Sequence, residues 1–444
     1  MSVNLFQVTG TALIQFISVP IFITYWGKSD YGEWLILFSC STLFQMSDFG
    51  INSAVDNQMA LYGVRQDYQQ ALKVYFQGRL LVLLMGAMLL ALLLASLFLI
   101  DYRSQLHITE MDKKTVALIS ILLSFHALLV VQQELLSSIY RAAQEYTIGR
   151  VWIIRTRLVE FFVVVLAVMF GASCFVVAFL YPVVRLVFWV AMLRACYQKY
   201  PWFRQKGMYS VDYLLIKRLL KPSFSFLIMS LGHAVMLQGT LLLAGHFFSP
   251  ATVVVFSTVR LFSSLIRQGI SVVSRTVWIE LSPALEQHNY LLARRLHQRA
   301  SQINLCLAFG AAFIFQLVGE HAIAWWTLGE VSIDQPFFGF MLLATVTYTV
   351  WATSLTVPMS VNRHRKESLW FVGSSILGLF CAVLLIPAIG LPALPLGLLL
   401  TDGCMIGVVF GSCVTILQHK DRKELFSGLI DFEWLKDKMI VARS

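Results

Sequence analysis

Leu80–Ile100, LLVLLMGAMLLALLLASLFLI, runs for 21 residues without a charged side chain. At about 1.5 Å of rise per residue, a helix of that length crosses the roughly 30 Å hydrocarbon core of a bilayer. The pattern recurs on both sides of this stretch. Apolar runs bounded by charges or by Pro/Gly breaks predict helices over 4–26, 33–58, 78–100, 115–140, 148–170 and 173–196. A second set is predicted over 222–247, 251–280, 301–326, 336–360, 368–386 and 393–417. Of the 444 residues, 58% are hydrophobic and 13% charged, leaving more apolar surface than a water-soluble chain of this size can bury. The expected class is an all-α integral membrane protein of about 12 transmembrane helices.

The first run, Asn4 to Trp26, has no Lys or Arg ahead of it and no small-residue cleavage site after it, so it reads as a first helix and not as a removable signal. Cys40, Cys174, Cys196, Cys306, Cys381, Cys404 and Cys413 lie within or at the ends of apolar runs with no metal-ligand spacing, which predicts buried free thiols and no metal. The net charge of +10 reports topology, not nucleic acid. Alternate loops hold 24 Lys and Arg on one side against Lys28, Arg103, Lys113 and Lys114 on the other, which predicts cytoplasmic termini.

The longest basic connection divides the chain into a six-helix bundle over 1–200, a cytoplasmic connection over 201–221, a second six-helix bundle over 222–418 and a cytoplasmic tail over 419–444. A weak repeat supports the division. Ser29-Asp30-Tyr31 falls opposite Ser249-Pro250-Ala251, and Asp67-Tyr68-Gln69-Gln70-Ala71 opposite Asn289-Tyr290-Leu291-Leu292-Ala293, at an offset of about 220 residues in both places. Two copies of six helices share one orientation, the parallel-repeat architecture of many secondary transporters.

Neither a nucleotide-binding G-x-x-x-x-G-K-[ST] nor an H-E-x-x-H, G-x-S-x-G or D-x-D motif occurs, so no ATP hydrolysis or metal-dependent sugar transfer is signalled. The informative residues are ionisable groups at membrane depth, each costing about 2.5–3.5 kcal/mol unless paired or facing a cavity. Arg260, Arg267 and Arg275 recur at nearly two-turn spacing on helix 8, with Arg260 about 14 Å and Arg267 about 24 Å from its outer end. Arg275 reaches the inner mouth, where it can snorkel. Arg155, Arg157 and Glu160 lie on helix 5, Arg185 on helix 6, and Asp48 and Asp56 on helix 2. Arg157 and Glu160, three apart, are placed to neutralise one another. These arginines outnumber the acids near them, and planar guanidinium forks suit a phosphate-bearing substrate. His126, His233 and His246 read as packing histidines, although a proton-linked role is open to them. Gly407 and Gly411 form a G-x-x-x-G that predicts close packing of helix 12, and Asp402 on that helix has no evident partner.

Tyr31-Gly32-Glu33-Trp34 and Ser47-Asp48-Phe49-Gly50-Ile51 resemble the N-terminal pattern of Wzx-type oligosaccharide flippases. These form a branch of the MATE-like multidrug/oligosaccharidyl-lipid/polysaccharide (MOP) superfamily. The resemblance implies a MATE-like pair of six-helix bundles with a cationic lumen, in the bacterial inner membrane. It implies translocation of an undecaprenyl-pyrophosphate-linked oligosaccharide from the cytoplasmic to the periplasmic leaflet, by alternating access, for O-antigen, lipopolysaccharide or capsule assembly. Membrane lipid, a coupling ion (H+ or Na+) held at Asp48 or Glu160, and polysaccharide-assembly proteins are the implied partners, with no cofactor. Arg260, Arg267, Arg155, Arg157 and Arg185 are the expected substrate contacts. Lipid II flippases resemble a fourteen-helix version with arginines on helix 1, whereas residues 2–26 here carry no charge; cation-exporting relatives place acids on helix 1 or 7, and helix 7 here has none. A drug or ion antiporter remains the alternative transporter, and a membrane glycan polymerase, an acyltransferase or an assembly-only partner are alternatives of other classes.

Overall fold

The computed structural model describes residues 2–45, 50–204, 211–361, 363–421, 423–425 and 427, and among them there is no β-strand. Among the described residues fifteen α-helices follow one another: α1 (Ser2–Phe44), α2 (Ile51–Val64), α3 (Tyr68–Leu99), α4 (Tyr102–Gln105), α5 (Lys113–Ala142), α6 (Tyr146–Met169), α7 (Cys174–Lys199), α8 (Tyr213–Ala234), α9 (Thr240–Phe247), α10 (Pro250–Glu286), α11 (Tyr290–Trp326), α12 (Gln335–Ser354), α13 (Thr356–Ser360), α14 (Arg365–Ile389) and α15 (Ala393–Ile416). Among the described residues, nine spans are long and apolar enough to cross a membrane. α6 has the length, but Arg155, Arg157 and Glu160 set it apart from those nine. Large apolar side chains stand exposed along α3 and α11, including Leu84, Leu92, Phe309 and Phe313, the last at 67%. Lipid is the solvent such a surface suits.

Several predicted helices change shape where the backbone demands it. α1 bends at Gly27, whose φ of 78° only glycine adopts without strain, so the first two predicted helices are joined across that kink. The second predicted helix is not continuous; Gly50, at φ 74°, precedes α2, which runs on to Val64. A π-helical turn over Val235–Gly239 separates α8 from α9. α12 and α13 are split at Leu355, because Pro358 lacks the N–H that would reach the Ser354 carbonyl. Cys413 donates its thiol to that carbonyl at 3.3 Å. α10 and α11 are longer than expected, at 37 residues each.

Contacts group the chain into two compact units, residues 1–257 and 258–444. In the first, α5 packs against α1, α2, α3, α6 and α7, while α8 packs on α2 and α3, and α9 on α1. The core at one end of this unit joins Met59, Leu72, Tyr75, Leu136, Tyr140, Met192 and Phe203. In the second unit, α15 packs against α12 and α14, and α11 against α12. Gly378 and Gly397 set the α14–α15 approach, since a Cβ on either would lie 2.3–2.4 Å from the other's carbonyl oxygen. The expected close contact at Gly407 is absent, with no neighbour within 4 Å of its would-be Cβ. The close approach of α15 to α14 thus falls at Gly397 and not at Gly407.

The two matched segments share a local geometry. Gln66 and His288 share a left-handed φ of 56–57°. One residue on, the Asp67 and Asn289 side chains accept the Gln70 and Leu292 amides, each at 3.1 Å. Each pair closes one helix and opens the next with the same two devices, a left-handed stop and an N-cap. All seven cysteines are free; Cys174, Cys196 and Cys413 are buried as expected, but Cys306 is exposed.

Candidate functional site

α5, α6 and α7 turn polar side chains toward one another inside the first unit. Arg185 of α7 donates from Nε to Glu160 Oε1 of α6 at 2.6 Å, from Nη2 to Oε2 of the same carboxylate, and from Nη1 to Gln133 Oε1 of α5 at 2.8 Å. The Gln133 amide donates to Thr156 at 2.8 Å, and the Thr156 hydroxyl donates to the Trp152 carbonyl at 2.8 Å. His126 Nε2 lies 3.1 Å from Glu160 Oε1. None of these five side chains belongs to a residue more than 4% exposed. A buried ion pair is tolerable only when both forks are fully bonded, and this one is.

The network forms one wall of a cavity of about 390 Å³. Phe22, Tyr31, Trp34, Phe38, Phe161 and Tyr181 form much of the rest, and Arg157 borders it. Tyr181 ties the two sides together, its ring 6.0 Å from Trp34, 5.7 Å from Phe38 and 5.0 Å from His126.

The pairing of Arg157 with Glu160 does not form. Glu160 faces the bidentate fork of Arg185, and Arg157 turns instead to Glu134 of α5 at 3.7 Å, a carboxylate that also takes Arg150 at 3.0 Å. Arg155 is exposed and stands over the Trp152 ring at 6.0 Å. Asp56 pairs with Arg141 at 2.8 Å. Asp48 lies outside the described residues. Of the histidines, His126 belongs to the polar network, His233 Nδ1 lies 3.0 Å from the Met229 carbonyl and His246 Nδ1 2.6 Å from that of Gln105.

Glu33 is fully buried, and its Oε1 accepts the backbone amides of Thr109 at 2.5 Å and Glu110 at 2.8 Å, fastening the loop before α5. Its neighbour Gly32 permits a close approach, for a Cβ there would lie 2.1 Å from the Pro250 carbonyl oxygen. The Tyr31–Trp34 stretch thus shapes the cavity rim and holds a loop. At the start of α6, bonds from Lys199 at 2.5 Å and Tyr200 at 2.6 Å hold the Glu145 carboxyl below the ordinary glutamate value.

In the second unit, α10 carries Arg260, Arg267 and Arg275, the last exposed. The Arg267 guanidinium lies 4.3 Å over the Tyr348 ring of α12, within cation–π range. Asp402 of α15 is fully buried and accepts the Trp351 indole N–H at 2.8 Å. Sequence alone offered this acid no partner; the partner is a Trp, a residue type that no charge pattern flags. Nearby polar side chains are bonded among themselves, Asn304 to Ser274 at 3.1 Å and to Thr353 at 2.9 Å, and His297 to Ser354 at 3.0 Å.

No protein-family model and no curated protein matches the sequence. Solved structures do. A multidrug resistance MATE family transporter of the MOP superfamily, in an inward-facing conformation, superposes with a TM-score of 0.67 at 13% identity, over 92% of this chain and 100% of the other. The fold is that of the MATE/MOP transporters. A MATE structure in the bent conformation gives a TM-score of 0.63 at 13% identity, over 96% of this chain and 94% of the other. A MOP superfamily transporter from Pyrococcus furiosus, described by the reverse polarity of its binding pocket and a different function suggested by it, gives 0.59 at 13% identity, over 93% and 95%. At these identities the MATE/MOP likeness is one of fold.

Proposed function

We propose that this chain is a MOP-superfamily transporter that flips an undecaprenyl-pyrophosphate-linked oligosaccharide from the cytoplasmic to the periplasmic leaflet of the bacterial inner membrane, by alternating access. The observation that supports this most is the cavity of the first unit, where Arg157 stands beside walls of Phe22, Tyr31, Trp34, Phe38, Phe161 and Tyr181. Sugar rings pack their C–H faces on the electron-rich faces of aromatic rings, and guanidinium binds phosphate oxygens. Arg260 and Arg267 offer further cations in the second unit, and Arg155 an exposed one on α6. Arg185, fully engaged by Glu160 and Gln133, positions the cavity wall. Glu160, with Asp48, is the coupling candidate for H+ or Na+. The 24-to-4 distribution of basic residues supports cytoplasmic termini.

Loss of the gene should cause a lipid-linked oligosaccharide to accumulate on the cytoplasmic leaflet, and the purified protein in vesicles should move that lipid without altering its bonds. New glycosidic or ester bonds made by this protein alone would replace the transporter reading with an enzyme. A second reading, a drug or ion antiporter, draws on Glu160 in an aromatic-walled cavity, which also suits an amphipathic cation. Gradient-driven expulsion of such a cation from vesicles, with no lipid transfer, would favour it.

A further inference from the structure

Asp402 and Arg267 meet the same pair of α12 rings in the second unit, with no ion pair between them: the Tyr348 ring under Arg267 lies 5.1 Å from the Trp351 ring whose N–H Asp402 accepts. Asp402 Oδ1 accepts from Trp351, but its Oδ2 is buried with no hydrogen-bond partner among the described residues. Thr347 approaches the same carboxylate. Its single hydroxyl proton, however, is directed to the Leu343 and Ala344 carbonyls at 3.0 and 3.1 Å. Arg267 Nε is likewise buried and unbonded among the described residues, its guanidinium resting on Tyr348. A permanent carboxylate and a permanent guanidinium sharing a low-dielectric site gain by meeting, through two charge-assisted bonds. Here the arginine instead lies on a neutral ring. That arrangement suits a neutral Asp402, whose protonated oxygen no longer competes for the cation.

The groups around Asp402 leave few alternatives. α10 contributes Arg267, which interacts electrostatically both with Asp402 and with Arg260, and α12 contributes Tyr348 beside Trp351. On α14 the buried acid is Glu367, whose side chain meets Ser412, ten residues along α15 from Asp402 and thus about 15 Å away.

We propose that Asp402 and Arg267 form a proton-controlled anion site: a proton on Asp402 releases Arg267 to bind a phosphate oxygen, and its loss lets the carboxylate compete for the guanidinium. The anion rests on the transport reading above; the proton site stands on the geometry of α10, α12 and α15. Proton and anion then bind together, so the affinity of the site for its anion follows pH.

The test uses full-length protein in lipid nanodiscs, with inorganic pyrophosphate as the probe, titrated from about pH 5 to about pH 9. Wild-type affinity should fall by about tenfold or more as pH rises, relative to Asp402→Asn, which should stay near the wild type's acid value. The probe's own titration is common to both proteins, so identical pH profiles would overturn the proposal. If the probe binds neither protein, the anion reading fails, and the proton site is judged by infrared spectroscopy. A protonated-carboxyl band that titrates and is missing from Asp402→Asn supports it, and no such band overturns it. Should Asp402→Asn fail to fold, Trp351→Phe, which keeps the acid but removes its donor, should displace the pH midpoint; an unmoved midpoint would overturn the proposal.

Discussion

The polar centre of α5, α6 and α7 and that of α10, α12 and α15 are built from the same ingredients, an acid, an arginine and an aromatic ring, and end in opposite states. In the first, Glu160 accepts on both oxygens, and Nε, Nη1 and Nη2 of Arg185 each donate. In the second, Asp402 Oδ2 and Arg267 Nε stay unbonded among the described residues. A completed network leaves no free arginine donor for an anionic ligand and offers it chiefly the shape it holds. An incomplete one retains binding capacity at the expense of stability. The first centre is therefore a scaffold for its cavity, and the second holds its groups in reserve.

Breaking the completed centre should do the most damage. Glu160→Ala leaves Arg185 buried and unpaired, which should cost about 3–5 kcal/mol and lower the amount of folded protein, as read by thermal unfolding in detergent. An unchanged midpoint would remove the contrast between the two centres. Arg267→Ala should do the reverse, leaving folding near wild type while losing about 1.5–3 kcal/mol of substrate binding, or roughly tenfold to more than hundredfold in affinity. Lysine at 267 should restore only part of it, since it lacks the planar fork. Transport must be compared at matched protein levels, because a drop in abundance would mark Arg267 as structural.

Glu33→Gln sharpens the comparison from outside both centres. It keeps the side chain's size but weakens two charge-assisted bonds, each by about 1 kcal/mol, and should speed hydrogen exchange at the Thr109 and Glu110 amides. The smallest effect belongs to Glu145. Lys199 and Tyr200 hold its carboxyl below the ordinary value of 4.5, so its contribution is present above 4.5 and is lost as pH falls through the lower folded value. Because solvent screens this pair, the loss should be at most about 1 kcal/mol, and Glu145→Gln should abolish that part of the acid sensitivity.

The helices were legible because, closed barrels apart, lipid admits no other backbone solution, so each helical span must appear as about 20 mostly apolar residues. The cap before α3 and its counterpart before α11 were legible in part, as the matched Asp67 and Asn289 segments. What escaped was rotation about the helix axis. Spacing within α6 pointed Arg157 at Glu160, but partners across helices depend on which way α5 and α7 turn, and Arg185 reaches Glu160 with the better geometry. The same limit hid Asp402's bond to Trp351 and moved the close helix contact from Gly407 to Gly378 and Gly397. The break at Leu355 follows from Pro358, yet only the packing of α15 shows that Cys413 fills the orphaned carbonyl.

Reconstitution shows whether the protein moves an anionic lipid-linked sugar and whether the incomplete centre takes part. Purified wild-type, Arg267→Ala and Arg155→Ala proteins would be placed in vesicles holding a fluorescent undecaprenyl-pyrophosphate oligosaccharide, and its leaflet transfer followed by access to an impermeant quencher. The wild type should transfer chemically unchanged lipid, Arg267→Ala should lose at least about tenfold, and the exposed Arg155→Ala should change much less. Transfer no faster than in protein-free vesicles, or equal rates for Arg267→Ala and wild type, would contradict these expectations.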